Sequence, residues 1–127
     1  MSEMITAVIA GFTILVVKHT IADFFFQTSY QYLNKGIYGH PGGILHAGIH
    51  AMMTVPVFLV LAPPSALFGL LVLAGEFAVH YHADWLKEKT IKRFGWKTDD
   101  ARFWHAFGLD QLVHLLTYVA IIILLVR

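Results

Sequence analysis

The sequence contains no cysteine, and this absence limits the chemistry that the chain can support. Without thiols it has neither a disulfide framework nor a thiolate metal site, so any metal must be held by imidazole and carboxylate groups. Charged residues are also scarce, at 13% of the chain, which is about half the fraction usual in a globular domain. The net charge of +1 includes no basic stripe of the kind that binds nucleic acid. A serine nucleophile with a neighbouring base and a glycine-rich nucleotide-binding pattern are also missing.

Hydrophobic residues make up 57% of the chain, and they are gathered into four long apolar runs. A transmembrane helix needs about 20 such residues, and each run supplies that length. The first run has no basic flank or cleavage site of a signal peptide, so we expect it to be a retained span. The sequence therefore predicts an all-α fold, a four-helix transmembrane bundle that forms one domain over residues 1–127, with spans at about 4–27, 43–62, 65–86 and 102–126.

Each predicted span carries one set of polar residues that are four positions apart. The sets are His19 with Asp23, His46 with His50, Glu76 with His80 and Asp84, and Asp110 with His114. A spacing of four places side chains on one helix face, and at 1.5 Å per residue all four sets fall at a similar depth. An unpaired aspartate at the centre of a membrane helix costs roughly 3 kcal/mol on insertion scales. We therefore expect the sets to converge on a polar core, which a metal centre would explain.

Imidazole and carboxylate ligands suit zinc, iron or manganese, and zinc is the first choice here. The predicted metal ligands are His19, Asp23, His46, His50, His80, Asp84, Asp110 and His114. Because they exceed the roughly four to six ligands of one ion, either two divalent ions bind or some of these residues support the others.

The deepest of these polar residues, Glu76, is the predicted catalytic general base, although it could equally be a ligand. Gln27, Lys87 and Gln111 lie on or beside the polar faces and are predicted to support the ligands. For Lys87, extension toward the membrane surface is an alternative. Three further histidines lie in a loop or on other faces and are excluded: His40, His82 and His105.

The lysines and arginines are concentrated in the two breaks at 27–43 and 87–102. The positive-inside rule places these breaks in the cytoplasm and both termini outside. The polar sets then lie near the cytoplasmic side of the bundle.

Four motifs together support a family resemblance. They are His19-Thr-Ile-Ala-Asp23-Phe followed by Gln27, His46-x-x-x-His50, Glu76-x-x-x-His80 continuing to Asp84 and Lys87, and Asp110-Gln111-x-x-His114. With these motifs the whole chain resembles the small bacterial membrane proteins grouped as domain of unknown function 3307. The resemblance implies a bacterial inner-membrane location and little about chemistry. The sequence is also distantly similar to membrane-bound metal-dependent hydrolase-like proteins.

The function that these observations favour is that of a metal-dependent membrane hydrolase. Its substrate would be a lipid or lipid-linked ester or phosphoester at the cytoplasmic leaflet, because the polar layer is buried within the bilayer. A proton-coupled or metal-ion transporter with the same polar core is the first alternative, and a structural or regulatory metalloprotein is the second. A bundle of 127 residues leaves little room for a transport pathway unless it forms a homo-oligomer.

Overall fold

The computed structural model describes residues 2–127, so that Met1, the first residue of the predicted domain, lies outside the described residues. The described chain consists of α1 Glu3–Phe24, α2 Ser29–Asn34, α3 Pro41–Met52, a 3₁₀ helix Val55–Leu59, α4 Ala66–Phe94 and α5 Ala101–Leu125. Four helical segments are long and apolar enough to cross a membrane: α1, α3 with its 3₁₀ extension, α4 and α5. The predicted all-α bundle of a multi-pass membrane protein is confirmed.

The second of these segments is shorter and less regular than the predicted span at 43–62. Helix α3 ends at Met52, and the chain continues as the 3₁₀ helix. Pro56 lies in this extension, and a proline has no N–H group with which to continue an α-helical ladder. Thr54 lies at the junction and is completely buried.

Helix α4 is longer than the predicted span, which ended at residue 86. It begins after Ser65, whose side chain accepts a hydrogen bond of 3.1 Å from the backbone N–H of Phe68. Gly95 ends the helix with a φ of 65°, a left-handed conformation that glycine adopts without strain. The first half of the charged stretch at 87–102, expected to be a loop, therefore belongs to this helix.

The break at 27–43 contains the short helix α2, which the sequence analysis did not predict. Thr28 and Gln31 form a capping box at its start, in which each side chain bonds to the backbone of the other residue. Gly36 allows the following turn to approach α4, since a Cβ atom there would lie 2.9 Å from the Cβ of Glu88. The segment thus folds against the bundle and buries Lys35, which is 4% exposed.

The interior of the bundle has two parts. An apolar core lies toward the chain termini and consists of Leu15, Val57, Leu61, Val72, Tyr118, Ile121, Ile122 and Leu125. The polar sets lie toward the opposite end, which α2, the end of α4 and the start of α5 form, and which we call the charged end. Many large apolar side chains cover the outside of the helices, as expected for surfaces that contact lipid.

Candidate metal centre

Side chains from four helices meet in one layer near the charged end. Two groups could each hold a metal ion, because the donor atoms within a group all lie within 4.8 Å of one another. The first group is Asp23, His46, His50 and His80, and the second is His80, Asp84 and His114. Six of the eight predicted ligands therefore belong to groups with the arrangement of a metal site.

The donor atoms approach one another as neighbouring ligands of one ion do. The Oδ1 atom of Asp23 lies 3.0 Å from His50 Nε2 and 3.2 Å from His46 Nε2. His80 Nε2 lies 3.4 Å from Asp84 Oδ2. Around a zinc ion with bonds of about 2.0–2.1 Å, two tetrahedral ligands are about 3.3–3.4 Å apart. These three pairs of donor atoms are thus about as far apart as two ligands of one zinc ion.

Several of the buried imidazole nitrogens have no hydrogen bond within the described part of the chain. They are both ring nitrogens of His46, Nδ1 of His50, Nε2 of His80 and Nε2 of His114. His46 Nε2 lies 3.2 Å from a carboxylate oxygen of Asp23 and 3.2 Å from one of Asp84, yet neither contact has the direction of a hydrogen bond. An unsatisfied buried polar group costs about 1–3 kcal/mol. Coordination of a cation through one nitrogen of each imidazole would satisfy several of these nitrogens at once.

The net charge of the interior also favours a cation. Five carboxylates and three lysines have side chains that are at most 11% exposed, namely Asp23, Glu76, Asp84, Glu88 and Asp110 with Lys18, Lys35 and Lys87. If every imidazole is neutral, as a metal-binding imidazole is, this leaves two negative charges in the interior. Because uncompensated charge is costly in a low dielectric, one divalent cation would stabilise the folded bundle.

His19 is a predicted ligand that lies beside the first group and has other partners. Its Nδ1 atom is 2.8 Å from the hydroxyl of Tyr118, and its Nε2 atom is 2.9 Å from Oε1 of Gln111. The Nε2 atom also lies 3.2 Å from Asp23 Oδ2. Both ring nitrogens are therefore engaged, so that His19 is placed to orient Asp23 rather than to bind an ion itself.

Asp110, the other predicted ligand outside the two groups, lies beside the second one. Its Oδ2 atom accepts a hydrogen bond of 3.3 Å from Lys87, and its Oδ1 atom is 3.2 Å from His114 Nε2. Lys87 also lies 3.6 Å from Asp84. The side chain of Lys87 is only 8% exposed, and it is therefore among the supporting groups and does not extend to the membrane surface.

The two glutamines predicted to support the ligands both lie near the ligand groups. Gln27 Nε2 donates a hydrogen bond of 2.9 Å to the carbonyl oxygen of Asp23, and Gln111 contacts His19 as described above. The excluded histidines lie in neither group. His40 is the N-cap of α3, and the exposed His82 is 3.1 Å from the Tyr38 hydroxyl.

Lys18 is a functional candidate that the sequence analysis missed. Its ammonium group contacts the carboxylate of Glu76, whose other oxygen accepts a hydrogen bond of 2.5 Å from Thr54 Oγ1. Glu76 is in neither ligand group. A signal was present in the sequence, because a lysine and a glutamate within apolar runs each need a partner of opposite charge.

Lys35 is the second missed residue. Its Nζ atom donates a hydrogen bond of 3.1 Å to Asp84 Oδ2, and its side chain is 5% exposed. The pattern Thr28-x-x-Gln31 could have predicted the helix that carries this lysine toward the bundle.

A cavity of about 430 Å³ lies at the charged end, and Asp23 of the first ligand group forms part of its wall. Its polar lining includes Asp23, Gln27, Lys35, Lys87, Glu88 and Gln111. Aromatic side chains cover another part of the wall, namely Phe24, Tyr32, Phe103, Trp104 and Phe107. A ligand in this cavity would contact Asp23 directly.

A family profile described as Protein of unknown function (DUF3307) matches residues 12–127, and the chain belongs to this family. The matched range contains all four polar sets, and the resemblance seen in the sequence is thereby confirmed. No curated protein and no solved structure matches the chain.

Proposed function

We propose that the protein is a metal-dependent hydrolase embedded in the membrane. Its substrate would be a lipid or lipid-linked ester or phosphoester, taken from the cytoplasmic leaflet of the bacterial inner membrane. The observation that carries the proposal is the set of buried imidazole nitrogens without hydrogen bonds, which lie beside carboxylates in the layer that adjoins the cavity. Both requirements of a catalytic metal site, a ligand set and access for a substrate, are then met in one place.

The proposed metal is one zinc ion in the first group, because three imidazoles and a carboxylate suit zinc. Three of Asp23, His46, His50 and His80 would hold the ion, which leaves a fourth position open to water, as a catalytic zinc site requires. One imidazole nitrogen binds one ion, and His80 is shared with the second group. A second ion would therefore depend on Asp84 and His114, with Asp110 beside them.

A bound zinc ion would polarise the scissile group and lower the pKa of a bound water molecule. Asp23 belongs to the first group and also lines the cavity. This supports a substrate that approaches the metal from the cavity. Glu76 does not line the cavity, and its carboxylate is held by Lys18 and Thr54, which favours a positioning role over that of a general base. Glu88 lines the cavity and is better placed to accept a proton from water.

The proposed orientation places the charged end in the cytoplasm and both termini outside. Seven lysines and arginines belong to the segments at that end: Lys35, Lys87, Lys89, Lys92, Arg93, Lys97 and Arg102. The positive-inside rule favours this arrangement. The cavity would then open toward the cytoplasmic leaflet.

Transport is less well supported than hydrolysis. A metal ion that crossed the bundle would have to pass the ammonium group of Lys18, which repels cations, and then the apolar core around Leu15 and Val57. A purely structural metal site has no need of an adjoining cavity. These features favour catalysis over both alternatives.

The experiment combines metal analysis with a hydrolysis assay. Protein purified in detergent is analysed for transition metals, loaded with zinc and incubated with a radiolabelled extract of bacterial membrane lipids. We expect release of a water-soluble labelled product from the native protein and the His82→Ala control, and none from His80→Ala. Native protein that cannot retain zinc, or equal release by His80→Ala, would refute the proposal.

A further inference from the structure

Two lysines lie on either side of the same carboxylate. Lys35 Nζ is 3.1 Å from Asp84 Oδ2, and Lys87 Nζ is 3.6 Å from Asp84 Oδ1. Their side chains are 5% and 8% exposed, which is unusual for lysine. Both also line the cavity beside the ligand groups. The pair is therefore part of the cavity wall.

These ammonium groups have unused hydrogen-bonding capacity. Each ammonium carries three N–H donors. Within the described chain, Lys35 makes one hydrogen bond, to Asp84. Lys87 makes one, to Asp110, and its Nζ atom also lies 3.3 Å from Glu88 Oε1 and 3.6 Å from Asp84 Oδ1, so Lys35 has more unused donors than Lys87. Charged donors that are buried without partners are costly, so the remaining donors favour a ligand that supplies oxygen atoms.

The two lysines are close enough to the ligand groups to contact the same substrate as a bound metal ion. Asp84 Oδ2, which accepts from Lys35, is also 3.2 Å from His46 Nε2 and 3.4 Å from His80 Nε2. Asp23 of the first group lines the same cavity as both lysines. One small group in the cavity could therefore contact a bound ion and both ammonium groups.

We infer that this end of the cavity is an oxyanion subsite and that the substrate is a phosphoester, not a carboxylic ester. The inference rests on the proposed function. A phosphoryl group offers several charged oxygens to a metal ion and two ammonium groups, and such charge-assisted hydrogen bonds are the strong ones. A carboxylic ester offers one neutral carbonyl oxygen, which is a single and weaker acceptor for the two ammonium groups.

The reaction at this subsite is hydrolysis of a phosphorus–oxygen bond. The oxygen of water forms a bond to phosphorus while the bond from phosphorus to the alcohol oxygen breaks. One proton of the water passes to Glu88, which lines the cavity, and then to the departing alcohol oxygen. The two lysines stabilise the negative charge on the phosphoryl oxygens. The aromatic part of the wall accommodates the apolar portion of the substrate.

The test measures the binding of inorganic phosphate, the product that this reaction releases when the substrate is a monoester. Zinc-loaded protein in detergent is titrated with phosphate, and separately with butyrate, by isothermal calorimetry. We expect the native protein to bind phosphate more tightly than butyrate. Lys35→Gln and Lys87→Gln should each weaken phosphate binding about tenfold or more, because each removes a charged donor. Lys89→Gln is the matched control, because Lys89 is exposed and lies over the ring of Trp85.

Zinc content and thermal stability are measured for every variant before titration. If a glutamine variant does not fold, Lys35→Arg and Lys87→Arg replace it and should retain phosphate binding, since arginine keeps the charge and the donors. Zinc-loaded native protein that binds phosphate no better than butyrate would overturn the inference and leave the metal site intact. Unchanged phosphate affinity in both glutamine variants would also overturn the inference. Native protein that cannot retain zinc would instead overturn the proposed function.

Discussion

Lys18 Nζ donates a hydrogen bond of 2.8 Å to the backbone carbonyl oxygen of His50. The same ammonium contacts the carboxylate of Glu76 and lies 4.7 Å from the centre of the Tyr118 ring. These residues belong to α1, α3, α4 and α5, so one buried ammonium joins four helices. Because His50 is a candidate ligand, the position of that ligand depends on a lysine that is itself outside the ligand groups.

Replacement of Lys18 tests this dependence. Lys18→Met should destabilise the protein by about 3–5 kcal/mol, because Glu76 is left as an uncompensated buried charge. The double variant Lys18→Met/Glu76→Leu should regain most of that stability, since an apolar pair often replaces a buried ion pair without loss. Thermal unfolding in detergent, followed by circular dichroism, measures both effects.

The double variant also tests whether Lys18 positions His50 or only balances the charge of Glu76. Without the hydrogen bond to its carbonyl group, His50 should shift, and the visible absorption spectrum of cobalt-loaded protein should change. A native cobalt spectrum and native zinc affinity in the folded double variant would show that Lys18 only balances the charge of Glu76.

A second prediction concerns Glu76 itself. Glu76→Gln should lower stability, because Lys18 loses its charged partner, but the folded variant should keep its zinc, because Glu76 is in neither ligand group. It should also keep hydrolytic activity if Glu76 has a positioning role. Loss of zinc from folded Glu76→Gln would identify Glu76 as a ligand. Full zinc content without activity would instead restore it as the general base.

The zinc content of the protein should depend on the residues of the two ligand groups and not on the number of histidines. His50→Ala and His80→Ala should lower the zinc content of the purified protein, as each removes a donor from the first group. His82→Ala and His105→Ala should leave it unchanged, because these side chains lie in neither group. Inductively coupled plasma mass spectrometry gives the zinc-to-protein ratio. Equal losses in the four variants would contradict the assignment.

The close packing of the α2–α3 segment against α4 can be tested with two glycines. Gly36→Ala should destabilise the protein by about 1–3 kcal/mol and weaken phosphate binding, because its Cβ would lie 2.9 Å from the Cβ of Glu88 and displace the segment that carries Lys35. Gly48→Ala is the control, since a Cβ there would meet no described atom within 4 Å apart from its chain neighbours and the backbone of its own helix. Alanine at this helical position should be neutral or stabilise by about 0.5–1 kcal/mol. Similar losses in both variants would argue against the packing described here.

Orientation in the membrane can be measured by cysteine labelling, because the native chain has no cysteine. In intact cells an impermeant maleimide should label Ser65→Cys and leave Lys92→Cys unlabelled, since the charged end is proposed to face the cytoplasm. Both positions are exposed, so accessibility within the fold does not limit labelling. The opposite labelling pattern would show that the bundle has the inverse orientation and that the cavity faces the outer leaflet.

The pairing of Lys18 with Glu76 was within reach of the sequence, whereas the separation of ligands from supporting residues was not. Lys18 and Glu76 carry opposite charges within apolar runs, where each needs a partner, so this pair was one of those that the sequence allowed. By contrast, His19 and His50 occupy similar positions in the same spacing pattern. Only the approach of Tyr118 and Gln111 to His19 distinguishes it from a ligand.

The sequence by itself determined the four apolar helices and the face of each that carries polar residues. Both follow from local properties, since the length of an apolar run decides whether it can span the membrane and the helical period fixes which residues share a face. The tertiary structure decided which polar groups meet, because contacts between helices depend on their rotation and separation. It also turned the segment around Lys35 inward to contact Asp84, a contact that joins residues 49 positions apart and that no local pattern specifies.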